Sequence, residues 1–217
     1  MVAKTILETV MVLLPMILSL TVHEYAHAWM AKRLGDDTAE GQGRLNLNPL
    51  SHIDTMGTII LPAFLVFSGS GFFFGWAKPV PVNPTRFRSG VDLRRGMMWT
   101  AAAGPLSNLV LAFLAQGGLA LFLFFGVAAP AAGLALMERM VIINVALALF
   151  NMIPVYPLDG QKVVSGFLPH DLALRFERFN IRYGSTLLLL LLLFGGRVIA
   201  PPMFMILELL GAIFGLA

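Results

Sequence analysis

The chain has 217 residues, 58% of them apolar and only 12% charged, with a formal net charge of +3. A soluble domain carries roughly twice that share of charge, so a soluble enzyme, a disordered chain and a nucleic-acid binder are all disfavoured. There is no cysteine, which excludes disulfides and thiolate-held metal.

A helix needs roughly 20 mainly apolar residues to cross a bilayer core. The first such segment runs over 3–34 and carries Glu8, His23, Glu24 and His27 inside it. Lys4 and the apolar stretch behind it imitate a signal peptide, but Glu8 is out of place in a basic leader, so the helix is expected to be retained. The second segment, 55–77, has no Asp, Glu, Lys or Arg and is interrupted by Ser68-Gly69-Ser70-Gly71. That interruption suits a segment that bends back better than a straight crossing. Residues 96–137 also lack charge and are too long for one crossing. A split around Pro130 predicts helices over 97–125 and 132–152. The tail predicts two more, over 183–199 and 201–216.

The expected fold is an all-α polytopic membrane protein with about five transmembrane helices and a re-entrant β-hairpin-like element over about 57–83. With no repeat, long linker or soluble appendage in view, 1–217 reads as one membrane domain. Its core covers 1–165, and the two helices within 183–217 are candidates for a gate. Twelve of the fifteen basic residues fall in three stretches, 32–44, 78–95 and 162–182. They share one face only if 55–77 dips in and returns, and that face is then cytoplasmic, with the N-terminus outside.

Ionisable groups inside a span are costly and point to function. His23-Glu24-Tyr25-Ala26-His27 places two imidazoles at i and i+4, on one helix face and about 6 Å apart along the axis. They can take two corners of a zinc tetrahedron, and the glutamate between them can act as general base toward water. The bland reading is two interior histidines satisfied by neighbouring helices. A third ligand could come from Glu138, His52, His170, Asp54 or Asp159. Asp159 stands out because it follows the 132–152 helix, behind Pro154 and Pro157, and its depth matches that of His27, about 7–8 Å below the same face. His52 and His170 are left outside the ligand set.

The H-E-x-x-H helix, paired with Asn151-x-x-Pro154-x-x-Pro157-Leu158-Asp159-Gly160, resembles the site-2 protease family of zinc intramembrane metalloproteases. Asn48-Pro49-Leu50-Ser51-His52-Ile53-Asp54, Gly75-Trp76-Ala77-Lys78-Pro79 and Ala103-Gly104-Pro105-Leu106-Ser107-Asn108 extend the likeness over about 20–165. The resemblance implies His23, His27 and Asp159 as ligands of one Zn2+ per chain, Glu24 as catalytic acid/base and Asn151 as oxyanion donor. It implies packing roles near the site for Gly104 and Asn108. The chain resembles a short form, without a PDZ-like or other appended domain.

Pro79 and Pro81 alternate, so this stretch lacks amides that a central strand needs and belongs at an edge. Phe74, Gly75, Trp76, Ala77 and Lys78 are therefore candidates to bind an unwound substrate by strand addition; a plug packed against the helices is the plain alternative. The expected activity is zinc-dependent cleavage of the transmembrane segment of a membrane-protein substrate, near the cytoplasmic face of a bacterial or archaeal cell membrane. The partners would be that substrate and the lipid bilayer, with no nucleic acid. A membrane metal carrier and an inactive protease-like binding protein are the alternatives.

Overall fold

The long apolar runs become helices whose ends are set by capping side chains and prolines. The computed structural model describes residues 2–68, 75–126 and 130–216, with side chains from Ile6 onward. Its helices are α1 (Val2–Leu34), α2 (Thr38–Gly41), α3 (Leu61–Phe67), α4 (Leu93–Phe124), α5 (Ala131–Asn151), α6 (Asp159–Phe167), α7 (His170–Phe194) and α8 (Gly196–Ile213), and no strand occurs among the described residues. The Asp92 carboxylate accepts from the Arg95 N–H and caps α4. Four helices are long and apolar enough to cross a membrane: Ile6–Leu34 of α1, α4, α5 and α8.

The direction of each helix follows from its contacts. His27 meets Thr100 while Ser19 meets Asn108, so α4 runs antiparallel to α1. Asn108 meets Asn144 and Ala112 packs with Val141, so α5 runs antiparallel to α4. The C-termini of α1 and α5 and the N-terminus of α4 therefore share one end of the bundle. At that end α6 lies on α4, with Val163 against Met98 and Ala101. Further along, α8 packs Leu210 against Ala112, Val141 and Val145. The outer faces stay apolar, with Ile6, Val10, Leu14 and Leu18 exposed on α1 and Leu106, Val110 and Leu114 on α4. Exposed apolar rows around a polar interior suit a hydrocarbon solvent.

Because α1 ends and α4 begins at the same end, the chain between them goes out and comes back. The outgoing limb is a π-helical turn, Thr55–Ile60, capped by Asp54 and continued by α3. The return limb, 75–83, is neither helix nor strand, and its alternate N–H groups at Trp76, Lys78 and Val80 turn to one side, as in an extended chain. The Trp76 N–H donates to the Gly57 carbonyl at 3.1 Å, the Lys78 N–H to the His52 carbonyl at 2.9 Å, and the Thr58 hydroxyl to the Trp76 carbonyl at 2.7 Å. Gly57 has no room for a Cβ because the Trp76 indole lies on it. The β-hairpin-like element expected over about 57–83 does not form among the described residues: Thr55–Phe67 is helical and 75–83 pairs with no second strand, since Pro79 and Pro81 have no N–H to give, while 69–74, with Gly69-Ser70-Gly71 of the glycine-serine interruption, lie outside the described residues.

The C-terminal boundary differs from the sequence expectation. The break lies at Gly195, and Pro201 and Pro202 sit inside α8. A proline disturbs the turn behind it, and here that turn is the beginning of the helix, so the pair does not end it. The first half of α7 carries Arg175, Glu177, Arg178 and Arg182, and α7 is not among the four helices long and apolar enough to cross.

Candidate active site

Three elements converge at the shared end of the bundle. α1 supplies His23 and His27 from one face, and α6 supplies Asp159 from its first residue. The Asp159 Oδ2 lies 3.2 Å from the Nε2 of each histidine, and the two Nε2 atoms are 3.0 Å apart. His23 and His27 are buried and Asp159 is nearly so. They form the one group of this kind among the described residues.

The opposite edge of each ring is tied down. His27 Nδ1 lies 2.7 Å from the Thr100 carbonyl, and His23 Nδ1 lies 2.6 Å from the Asn108 Oδ1. A carbonyl only accepts, so each Nδ1 carries the hydrogen, and in the neutral ring that a metal requires each Nε2 presents a lone pair. Two nitrogen lone pairs and a carboxylate oxygen thus face one another, an arrangement that repels itself unless a cation stands between. A tetrahedral zinc with ligands at about 2.0–2.1 Å spaces its donors about 3.3 Å apart, so the donor set fits zinc in type and spacing. An ionised carboxylate is the form a ligand must have.

Gly104 explains how α4 comes so near. A Cβ there would stand 2.5 Å from the His27 Cε1 and 2.6 Å from the His23 Nε2. Gly160 has the same role behind Asp159, since a Cβ would run into the backbone of Met152 and Ile153. The loop before Asp159 is held by α7, where Asn180 accepts from the Tyr156 N–H at 2.9 Å.

Glu24 and Asn151 line the same cavity of about 170 Å³ as the donor set, with Lys162 at its edge. The Glu24 carboxylate accepts from the Val80 N–H at 2.8 Å, so the return limb orients it. Asn151 Nδ2 gives one hydrogen to the Leu147 carbonyl at 3.0 Å and keeps a second. Gly75, Trp76 and Ala77 line an adjoining cavity of about 420 Å³ together with Leu147, Leu188 and Leu192. Lys78 does not line it, because its N–H and carbonyl are turned to His52 and Arg44. Phe74 lies outside the described residues.

Of the other ligand candidates, none reaches the site. His52 is buried with Nε2 on the Asn46 carbonyl, Asp54 caps the π-helical turn, and His170 opens α7 on the surface. Glu138 lies on α5 beside a separate cavity that it shares with Glu208. Sequence reasoning missed Val80 and Thr100, which act through backbone atoms and not through their side chains. It also missed Asn144, although a polar side chain within a span was a signal.

A buried two-histidine, one-carboxylate donor set beside a glutamate, inside a bundle of apolar helices, is the architecture of a membrane metallopeptidase. Residues 121–191, which include Asn151 and Asp159, match the model of Peptidase family M50. The chain is 37% identical over 180 residues to "Putative zinc metalloprotease YwhC" of Bacillus subtilis (strain 168), covering 81% of this chain and 77% of that protein. It is 32% identical over 153 residues to "Putative zinc metalloprotease Rip2" of Mycolicibacterium smegmatis, covering 70% of this chain and 54% of that protein. No solved structure matches it. The chain belongs to peptidase family M50, the site-2 protease family, and is a zinc metalloprotease with the helices of a multi-pass membrane protein.

Proposed function

We propose that this protein is an intramembrane endopeptidase that cuts the transmembrane segment of a membrane-protein substrate. The observation that carries the reading is the convergence of His23, His27 and Asp159 with Glu24 and Asn151 around one cavity, next to a larger apolar cavity walled by an extended limb. His23, His27 and Asp159 hold the metal. Zinc bound there supplies Lewis acidity to the carbonyl under attack and to the attacking water.

Glu24 accepts a proton from water, and the Val80 N–H keeps its carboxylate turned into the cavity. The water oxygen bonds to the scissile carbonyl carbon. The free amide hydrogen of Asn151 points its dipole at the charge that develops on the carbonyl oxygen. Glu24 then returns its proton to the leaving amine as the C–N bond breaks.

A helical substrate hides its peptide bonds in its own hydrogen bonds and must unwind before it can be cut. The return limb supports that step. Trp76, Lys78 and Val80 turn their N–H groups into the protein. In an extended chain the residues between them face the other way, so Ala77 and the carbonyl of Pro79 are placed to pair with an unwound segment in the larger cavity. The basic stretches 32–44, 78–95 and 162–182 surround the site end of the bundle, so that end faces the cytoplasm and the N-terminus lies outside. The limb over 55–83 then dips into the membrane and returns.

The test is reconstitution in liposomes with a fluorescent transmembrane peptide, with products mapped by mass spectrometry. Cleavage within the apolar segment, abolished by Glu24→Gln, supports the reading. Cleavage confined to soluble peptides overturns it.

A further inference from the structure

Polar side chains buried between α1, α4 and α5 form a chain that the reaction itself does not use. Ser19, Asn108 and Asn144 have no exposed surface. The Ser19 hydroxyl donates to the Pro15 carbonyl at 2.7 Å. It has one hydrogen, so toward Asn144 it only accepts. Asn144 Nδ2 supplies that bond at 2.8 Å and gives its other hydrogen to the Met140 carbonyl at 2.8 Å. Asn144 Oδ1 is left facing α4, where it accepts from Asn108 Nδ2 at 2.8 Å. The second hydrogen of Asn108 Nδ2 points to the Ser19 carbonyl, 3.3 Å away. Asn108 Oδ1 therefore faces His23 Nδ1, at 2.6 Å. The carbonyls of Pro15, Ser19 and Met140 carry no hydrogen, so they fix the direction of every bond in the chain.

We propose that Asn144, supported by Ser19, is a positioning residue for zinc. Through Asn108 it holds the His23 imidazole in the form with hydrogen on Nδ1 and a free lone pair on Nε2, and so sets how tightly the metal is held. The proposal rests on the reading that His23, His27 and Asp159 are the ligands. The two histidines are secured differently. His27 leans on the Thr100 backbone carbonyl, which no side-chain substitution removes. His23 leans on a side-chain amide that can turn over. If Asn108 turned, its NH2 would face His23 Nδ1 and the ring hydrogen would move to Nε2, where the metal belongs. Asn144 prevents that turn, because its Oδ1 would then face the Asn108 oxygen. Outer partners of this kind change metal affinity by about 10–100-fold.

The test uses the purified full chain in detergent. Asn144→Leu keeps the bulk and removes both hydrogen-bonding functions. Zinc affinity, read by competition with graded chelators, is expected to fall about 10–100-fold, while kcat and KM at saturating zinc stay near those of the unsubstituted protein. Ser19→Ala is expected to weaken zinc by no more than a few-fold, since the Met140 carbonyl still orients Asn144. His23→Ala separates the two layers of the argument. If it retains full zinc affinity, the ligand reading fails. If it loses zinc while Asn144→Leu binds as tightly as the unsubstituted protein, the positioning role alone fails. Loss of activity in Asn144→Leu that saturating zinc does not restore also overturns it. Should Asn144→Leu not fold, 15N spectra of the four histidines in the zinc-loaded natural sequence decide. A protonated Nδ1 with metal at Nε2 on His23 supports the proposal, and metal at Nδ1 overturns it.

Discussion

Gly104→Ala adds a single carbon at the closest approach of α4 to the histidines. The new Cβ would stand 2.5 Å from His27 Cε1 and 2.6 Å from His23 Cε1 and Nε2. Carbon atoms rest at about 3.5–4.0 Å, so the rings or the helix must move by about 1 Å. The rings are poorly able to yield, because both Nδ1 atoms are hydrogen-bonded to α4 itself. Overpacking of this kind costs about 1–3 kcal/mol, against about 1 kcal/mol gained by alanine over glycine in a helix. Stability is therefore a poor readout, and metal binding is the sharp one. Ligand distances tolerate only about 0.2 Å, so the variant is expected to lose zinc under chelator concentrations that the unsubstituted protein withstands, and to lose cleavage with it. Gly118→Ala is the control on the same helix. Its Cβ would meet Met137 Cε at 3.6 Å, an ordinary contact, and zinc and activity should be unchanged. Zinc retention and turnover in Gly104→Ala equal to the control would refute the placement of α4 against the two rings.

Other substitutions separate the roles. Glu24→Gln should keep zinc yet lower kcat by about 10²–10⁴-fold, the usual worth of a general base, measured by single-turnover cleavage with zinc quantified in the same sample. Asp159→Asn should lower zinc affinity while the helical circular dichroism stays unchanged; full zinc affinity would remove Asp159 from the ligand set. Val80→Pro removes the N–H that orients Glu24, so kcat should fall with zinc retained, whereas Val80→Ala should keep both. Equal rates in the two Val80 variants would dismiss the backbone contact.

How far the residues spoke in advance depends on whether the information was local. His23, Glu24 and His27 were legible because helical spacing alone brings i and i+4 together, and α1 does place both rings toward Asp159. Asp159 was legible among five candidates as a polar residue after a proline-broken helix end at the depth of His27, and the fold brings its carboxylate beside both rings. The charge distribution and the glycine-serine interruption are what suggest that 55–83 dips in and returns. The partners of its return limb were not legible, because Trp76, Lys78 and Val80 bond through main-chain atoms to Gly57, His52 and Glu24. Such bonds leave no mark on residue identity. The break at Gly195 was misplaced to the conspicuous prolines, since composition says where a helix is strained but not whether the strain ends it. Asn144 was visible as a polar residue in an apolar helix, yet its meaning depends on Asn108 and Ser19 from two other helices.

The central claim is that His23, His27 and Asp159 hold the zinc ion within the helical bundle. The direct measurement is anomalous scattering at the zinc absorption edge from crystals of the zinc-loaded protein. One peak per chain is expected, about 2.0–2.1 Å from the Nε2 atoms of His23 and His27 and about 2.0–2.2 Å from Asp159 Oδ2, with the Glu24 carboxylate turned toward it. A peak elsewhere, or one bound by His52 or His170 in place of these three, would contradict the claim.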